Sequence, residues 1–483
     1  MLRPLALAAL LLLALAAPAA ARDTVVRSFD GTELHVTFHA AEGLKAGKRA
    51  PTILQTHGWG QKRERSAEGA SSEGTGLVGT AALRKAGFNV LTWDSRGFGD
   101  STGTVTVDYK DNEGRDVQKL LDWLAKQPEA RLDAKRDPRV GMHGVSYAGG
   151  IELVAAGIDK RIDAIAPSIA WHSLTTSLYK EETVKGGWAA LLYAGGQSGR
   201  LDPHITSAFA SGATTGTLSE EDRAWFTSRG PAGLVKRIKV PTLLLQGTAD
   251  TLFTLNEAIR NYDILRDRKV PVKMMWFCGG HGVCLTGSGP AGVFEGRVIA
   301  WLQRYVMGRK TVKTGPGFEW LADDAQWRSA AAYPPPKGTT LTSEGSGLLL
   351  VNPADALSGT PLAAGPAANA LNVPIPAATA QVVGRPRLTL TYSGTGNATH
   401  VFAQLVDESR NLVLGNQVTP LRVQLDGAQH TIKRQLEGVA ASMAPGRTYR
   451  LQLIGGSQVY GPVRGAAAIT VGSARIELPT ASP

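Results

Sequence analysis

Cysteine is nearly absent: 483 residues carry only Cys278 and Cys284. So small a supply excludes a scaffold built on many disulfides and the zinc modules that need four spaced ligands. Lysine and arginine are nowhere gathered into runs interleaved with aromatics, which themselves make up only 6% of the chain. The footprint of a nucleic-acid surface is therefore missing despite a formal net charge of +11, and no nucleic-acid partner is expected. Long hydrophobic runs are lacking too. The longest, Leu5 to Ala17, has 13 residues, well short of the roughly 20 that a spanning helix needs. No integral membrane segment is expected. With 43% hydrophobic and 19% charged residues, the composition is still that of a folded chain.

That short apolar run has a meaning of its own. It follows Met1-Leu2-Arg3 and ends in Ala19-Ala20-Ala21 before Arg22. A basic start, an apolar core and small residues at the cleavage point make a secretory signal peptide. Residues 1–21 are expected to be removed, leaving a secreted or periplasmic protein with a net charge of +10. In an oxidising compartment, Cys278-Gly-Gly-His281-Gly-Val-Cys284 is expected to close a disulfide rather than hold two free thiols. A metal site there would lack a fourth ligand.

From residue 22 to 332, short apolar runs alternate with helical patterns. The runs are 51–56, 88–93, 139–143, 162–166, 240–246 and 270–277. Val117, Leu120, Leu121 and Leu124 share one helical face, as do Phe294, Val298, Trp301, Leu302 and Tyr305. Unbroken apolar strands alternating with amphipathic helices predict an α/β domain with a parallel sheet covered on both faces. About 168–239, rich in Gly, Ser and Thr, breaks the rhythm and is too long for a plain loop; a helical cap inserted over the sheet is expected. Tyr333-Pro334-Pro335-Pro336 opens a stiff linker over 333–345. Beyond it, 346–483 carries alternating strands between Gly, Pro and Asn turns, at 388–392, 400–406, 449–454 and 467–471. An all-β sandwich or jelly roll is the matching architecture.

Gly144-Val145-Ser146-Tyr147-Ala148-Gly149 lies between an apolar run and a helical pattern. Strand, tight turn and helix form the context in which a serine hydroxyl is lifted clear of the backbone as a nucleophile. Ala148 stands where glycine is usual. A serine needs a base, and the base an orienting acid. Asp250 and His281 each follow a strand, in the order serine, acid, histidine; Asp222, Asp263 and Asp267 end no strand. Backbone N–H donors for an oxyanion are expected at Tyr147 and in the loop His57-Gly58-Trp59-Gly60, with His57 a scaffold residue. In Asp94-Ser-Arg96-Gly97-Phe-Gly99-Asp-Ser101-Thr-Gly103, Asp94 and Arg96 are expected to tie the surrounding loops together.

The serine elbow, the Asp-x-Arg-Gly-x-Gly-x-Ser-x-Gly segment, the helical insertion and the terminal β-domain together resemble the X-prolyl dipeptidyl peptidase and bacterial cocaine esterase family. The resemblance spans nearly the whole mature chain. It implies a jelly roll at the C-terminus and acyl-enzyme catalysis on esters or on amide bonds after proline. In that family a tyrosine hydroxyl from the loop after the third strand can serve the oxyanion. Trp59 stands there in this chain, so its indole or a backbone N–H must substitute.

The expected activity is hydrolysis of a small ester or peptide by Ser146, with His281 as base and Asp250 orienting it. No cofactor and no metal are called for. Glu181 and Glu182 in the insertion are candidates to hold a substrate amino group. Acyl transfer to another acceptor, or a silent glycan-binding protein, are the alternatives. The oligomeric state is not written in the sequence.

Overall fold

The apolar runs of the first 330 residues become neighbours in one twisted sheet. A computed structural model describes residues 21–482, so the segment read as a signal peptide lies, Ala21 apart, outside the described residues. The sheet begins with β1 (Arg22–Arg27), β2 (Glu33–His39), β3 (Thr52–Gln55) and β4 (Asn89–Trp93). A separate small hairpin follows, β5 (Leu132–Ala134) and β6 (Asp137–Pro138). Then come β7 (Val140–Val145), β8 (Ile162–Ser168), β9 (Thr242–Gly247), β10 (Val272–Phe277), β11 (Phe318–Leu321) and β12 (Trp327–Ala330). Their spatial order is β1-β2-β4-β3-β7-β8-β9-β10-β11-β12. All pairings from β4 through β11 are parallel, and β1, β2 and β12 are antiparallel additions at the two edges.

Why the central strands read as unbroken apolar runs is plain from the packing. Successive side chains point to opposite faces, and both faces are covered. Leu54, Leu91, Met142, Ile165, Leu244 and Met274 pack on one side against α2 (Glu113–Leu124), α3 (Tyr147–Ile158) and α8 (Leu255–Asp267). Ile53, Val90, Leu243, Leu245 and Met275 pack on the other against α1 (Thr80–Lys85) and α9 (Val293–Tyr305). The faces predicted for α2 and α9 are the ones buried.

Between β8 and β9 the chain leaves the sheet and forms α4 (Leu174–Leu178), α5 (Gly186–Gly196), α6 (Pro203–Thr215) and α7 (Glu220–Thr227). Their apolar faces gather over the C-terminal edge of the sheet, with Trp171, Leu174, Trp188, Ile205 and Trp225 in one buried cluster. After β12, two four-stranded antiparallel sheets pack into a sandwich. One holds Leu341–Val351, Ala467–Leu478, Arg387–Gly396 and His430–Gln435; the other holds Ala370–Ile375, Tyr449–Ile454, His400–Asp407 and Leu412–Arg422. The first of these strands begins inside the segment expected to be a linker. Tyr333 is buried against Tyr262, Trp276 and Phe318, so the chain between the two parts is packed down rather than free.

One buried polar residue pins the centre of the sheet. His143 on β7 is fully buried; its Nδ1–H donates to the Ala166 carbonyl (2.8 Å), and its Nε2 accepts from the Val78 N–H (2.8 Å). Only the neutral ring can do both, and burial pushes its pKa down to about 4. As pH falls, the unfolded chain takes up this proton near pH 6.5 while the folded chain holds out to about pH 4. Stability should therefore fall across that window, by up to about 3 kcal/mol from this residue alone. Urea midpoints measured from pH 7 to pH 4 should drop less in His143→Gln than in the parent chain. Parallel curves would remove His143 as the cause.

Candidate active site

Ser146 sits between β7 and α3 with φ 59° and ψ −114°. A non-glycine residue in such a conformation costs about 1–3 kcal/mol and persists only where its surroundings enforce it. Here the enforcement is close packing of small neighbours. A Cβ on Gly144 would stand 2.5 Å from the Ala148 Cβ, and one on Gly149 would stand 2.7 Å from the Ser168 carbonyl oxygen. Ala148 in the usual glycine position is tolerated because Gly144 faces it. The half-buried Ser146 hydroxyl is thereby held at the N-terminus of α3.

Asp250 and His281 reach the same point from β9 and β10. The His281 Nε2 lies 2.7 Å from the Ser146 Oγ, and its Nδ1 lies 2.7 Å from the Asp250 Oδ2. Asp250 has no exposed surface, and its Oδ1 accepts from the backbone N–H groups of Leu252 (3.0 Å) and Phe253 (2.8 Å). Glycine flanks His281 on both sides for a reason. Gly280 has φ +106°, and a Cβ there would stand 2.7 Å from the Asp250 carboxylate. A hydroxyl in this arrangement can pass its proton to imidazole while the carboxylate fixes the ring's other nitrogen. The rival acids are committed elsewhere. Asp222 accepts from Ser207, Ser219 and His204 within the cap, and Asp263 and Asp267 pair with Arg266.

Tyr147 and Trp59 both border Ser146. The Tyr147 ring is buried, with its hydroxyl donating to Glu113 (3.3 Å) and its face meeting Trp59 and Phe98 edge-on. This fixes its backbone N–H as the first of α3, free of an intrahelical partner. The Trp59 indole is turned the other way. Its Nε1–H donates to the Leu192 carbonyl of α5 at 2.8 Å, so the side chain is spent on holding the cap. Of the two groups that Trp59 offers an oxyanion, only the backbone N–H is left.

The neighbouring loops are tied down by buried polar groups. His57 donates from Nδ1 to the Gly58 carbonyl (2.8 Å) and accepts at Nε2 from the Ser95 N–H (3.1 Å); burial lowers its pKa. It is scaffold. Asp94 grips Arg63, accepting from its backbone N–H at 2.6 Å and from its guanidinium, which also reaches Asp100. Arg96 joins Asp116 of α2 to Asp30 of the β1–β2 turn. Glu181 and Glu182 point away from Ser146, in ion pairs with Arg434 and Arg422 of the sandwich.

Several residues carried no sequence signal. Trp188 on α5 and Phe253 clamp the His281 ring edge-on, at 5.8 and 5.1 Å. The fully buried Lys185 donates to the carbonyls of Thr251 (2.8 Å) and Leu252 (2.9 Å), and Gln417 of the sandwich donates to the Asp250 carbonyl (3.0 Å). Only the two N–H groups after Asp250 were foreseeable, since a carboxylate opening such a turn regularly caps it. Cys278 and Cys284 form a disulfide around the His281 loop. Among the described residues, no group of three or more His, Cys, Asp or Glu side chains is arranged to hold a metal ion. Nor is any described helix long and apolar enough to cross a membrane.

Residues 30–282 match the family model described as X-Pro dipeptidyl-peptidase (S15 family). Among solved structures, an α-amino acid ester hydrolase superposes with a TM-score of 0.74 at 16% identity, over 95% of this chain and 96% of that one. An aminopeptidase from a marine-sediment Thaumarchaeota archaeon gives 0.72 at 13%, over 96% of each chain. A CocE/NonD family hydrolase from Staphylococcus aureus gives 0.69 at 13%, over 96% and 97%. At such identities the likeness is one of fold. An uncharacterised 31.7 kDa protein of Escherichia coli is 31% identical over 90 residues, which is 19% of this chain and 30% of that protein.

The disulfide is open to a direct check. The native protein should yield no alkylatable thiol by mass spectrometry. Because the bridge closes so short a loop, Cys278→Ser with Cys284→Ser should cost only about 2 kcal/mol on the chain-entropy model. Two free thiols in the native material would rule the bridge out.

Proposed function

Because this chain belongs to the X-Pro dipeptidyl-peptidase (S15) family, we propose that it is an exported serine hydrolase that cleaves an ester or peptide bond through an acyl-enzyme on Ser146. The observation that carries this reading is the unbroken hydrogen-bond chain from Ser146 through His281 to Asp250, 2.7 Å at each link. His281 takes the Ser146 proton as Oγ attacks the substrate carbonyl, and the tetrahedral oxyanion settles against the backbone N–H groups of Tyr147 and Trp59. His281 then gives that proton to the departing alcohol or amine as the bond to the acyl carbon breaks. Water attacks the acyl-enzyme by the same route, releasing the acid and restoring the serine. Asp250 holds the imidazole in the tautomer that accepts at Nε2 throughout. A disulfide at Cys278–Cys284 accords with an oxidising compartment and so with export.

Between ester and X-Pro substrates, the ion pairs of Glu181 and Glu182 favour the ester. A dipeptidyl peptidase needs an acid free to bind the substrate's amino group, and both of these carboxylates already face arginines of the sandwich.

A p-nitrophenyl ester assay tests the proposal. Ser146→Ala should fold normally and lose on the order of 10⁴–10⁶ in turnover. Asp250→Asn should lose about 10⁴, because the amide favours the wrong imidazole tautomer. A folded, active Ser146→Ala protein would end the mechanism. Trp59→Phe keeps an aromatic side chain and the backbone but deletes the indole N–H, and its turnover should stay within a few-fold of the parent. A fall of about 10²–10³, the usual cost of one lost oxyanion donor, would move that role to the indole.

A further inference from the structure

We infer that the acyl group taken by Ser146 is uncharged and apolar and carries no free amino group. The inference rests on the serine-hydrolase reading and narrows it.

Two cavities meet at Ser146, and His281 lines only one of them. The imidazole must reach the leaving atom to protonate it. The leaving group therefore occupies the cavity on the His281 side, which measures about 600 Å³ and is bordered by Gln55, Gln61 and Arg63. The acyl group is left with the other. That one measures about 120 Å³ and lies under the cap, walled by Trp59, Trp171, Leu178, Leu192, Ile205 and Phe209 among others. None of its lining residues is Asp, Glu, Lys, Arg or His.

An ammonium entering this pocket would lose its hydration and meet no carboxylate. Asp108, buried and without a hydrogen-bond partner, packs against the edge of Trp171 across Gly150 and is not part of the wall. Glu181 and Glu182 line a third cavity, which shares only Thr175 and Tyr179 with this one. The walls come largely from α4 through α7, so the cap sets the acyl preference.

The test is kcat/KM over p-nitrophenyl acetate, butyrate, octanoate, decanoate and hexadecanoate, with 3-phenylpropanoyl and phenylalanyl p-nitrophenyl esters as a matched neutral and α-ammonium pair. Along the series from acetate upward the value should rise about fourfold per added methylene, then fall once the chain outgrows the pocket. The phenylalanyl ester should lie at least about 10²-fold below its neutral counterpart, given the cost of burying an unpaired charge. Ala208→Phe, which fills the pocket from α6, should move the optimum to shorter chains. A preference for acetate, or equal or better use of the α-ammonium ester, overturns the inference while leaving the hydrolase reading intact. If no ester is turned over and a fluorophosphonate fails to label Ser146, both readings fall together.

Discussion

Asp250 is a carboxylate with no surface to water, and a group of that kind must find all its hydrogen-bond donors inside the protein. It finds them in the backbone N–H groups of Leu252 and Phe253, in the Gln246 side-chain amide and in His281. That solution works only if the turn 250–253 is rigid, since two of the donors belong to the turn and His281 to the loop beside it. The turn in turn borrows its rigidity from two distant parts of the chain. Lys185, at the start of α5, caps the carbonyls of Thr251 and Leu252, and Gln417 from the sandwich holds the carbonyl of Asp250 itself. Sheet, cap and sandwich therefore converge on one buried carboxylate.

This convergence accounts for a C-terminal sandwich that contributes no catalytic side chain. Asn416 donates to the Val283 carbonyl, and the Val283 N–H donates to Leu362, so the sandwich also braces the loop that carries His281. The disulfide acts on the same loop from within. A strained serine and a glycine-rich histidine loop both lose conformational entropy when held in place, and neither can order itself. Apart from the disulfide, the bracing of the histidine loop comes from residues far along the chain, with Val283 held by Leu362 and by Asn416.

The cap carries a double load. Trp188 clamps His281 while its Nε1–H donates to Thr251, and Leu192 accepts the Trp59 indole N–H. The same helix thus steadies His281, the turn after Asp250 and the loop of Trp59, and it supplies Leu192 to the apolar cavity next to Ser146. Coupling the cavity wall to the catalytic geometry means that cap substitutions will rarely affect binding alone.

What could be read from the chain follows local rules. The apolar runs of the central strands, the helical faces of α2 and α9, and the strand–turn–helix around Ser146 are short-range patterns, and they appear where the spacing put them. That Asp250 and His281 would meet Ser146 was legible because parallel strands deliver their C-terminal ends to one edge, a constraint of topology rather than of contact. The edge strands β1, β2, β11 and β12 were not, because their pairing is decided by the neighbours they meet. Nor could the chain reveal that the Trp59 indole would be spent on Leu192, that Glu181 and Glu182 would be consumed by arginines some 240 to 250 residues away, or that Gln417 would reach Asp250. Each of these is a contact between segments far apart in sequence, and hydrogen-bond partners at such separations are settled only when the packed domains bring them within about 3 Å of one another.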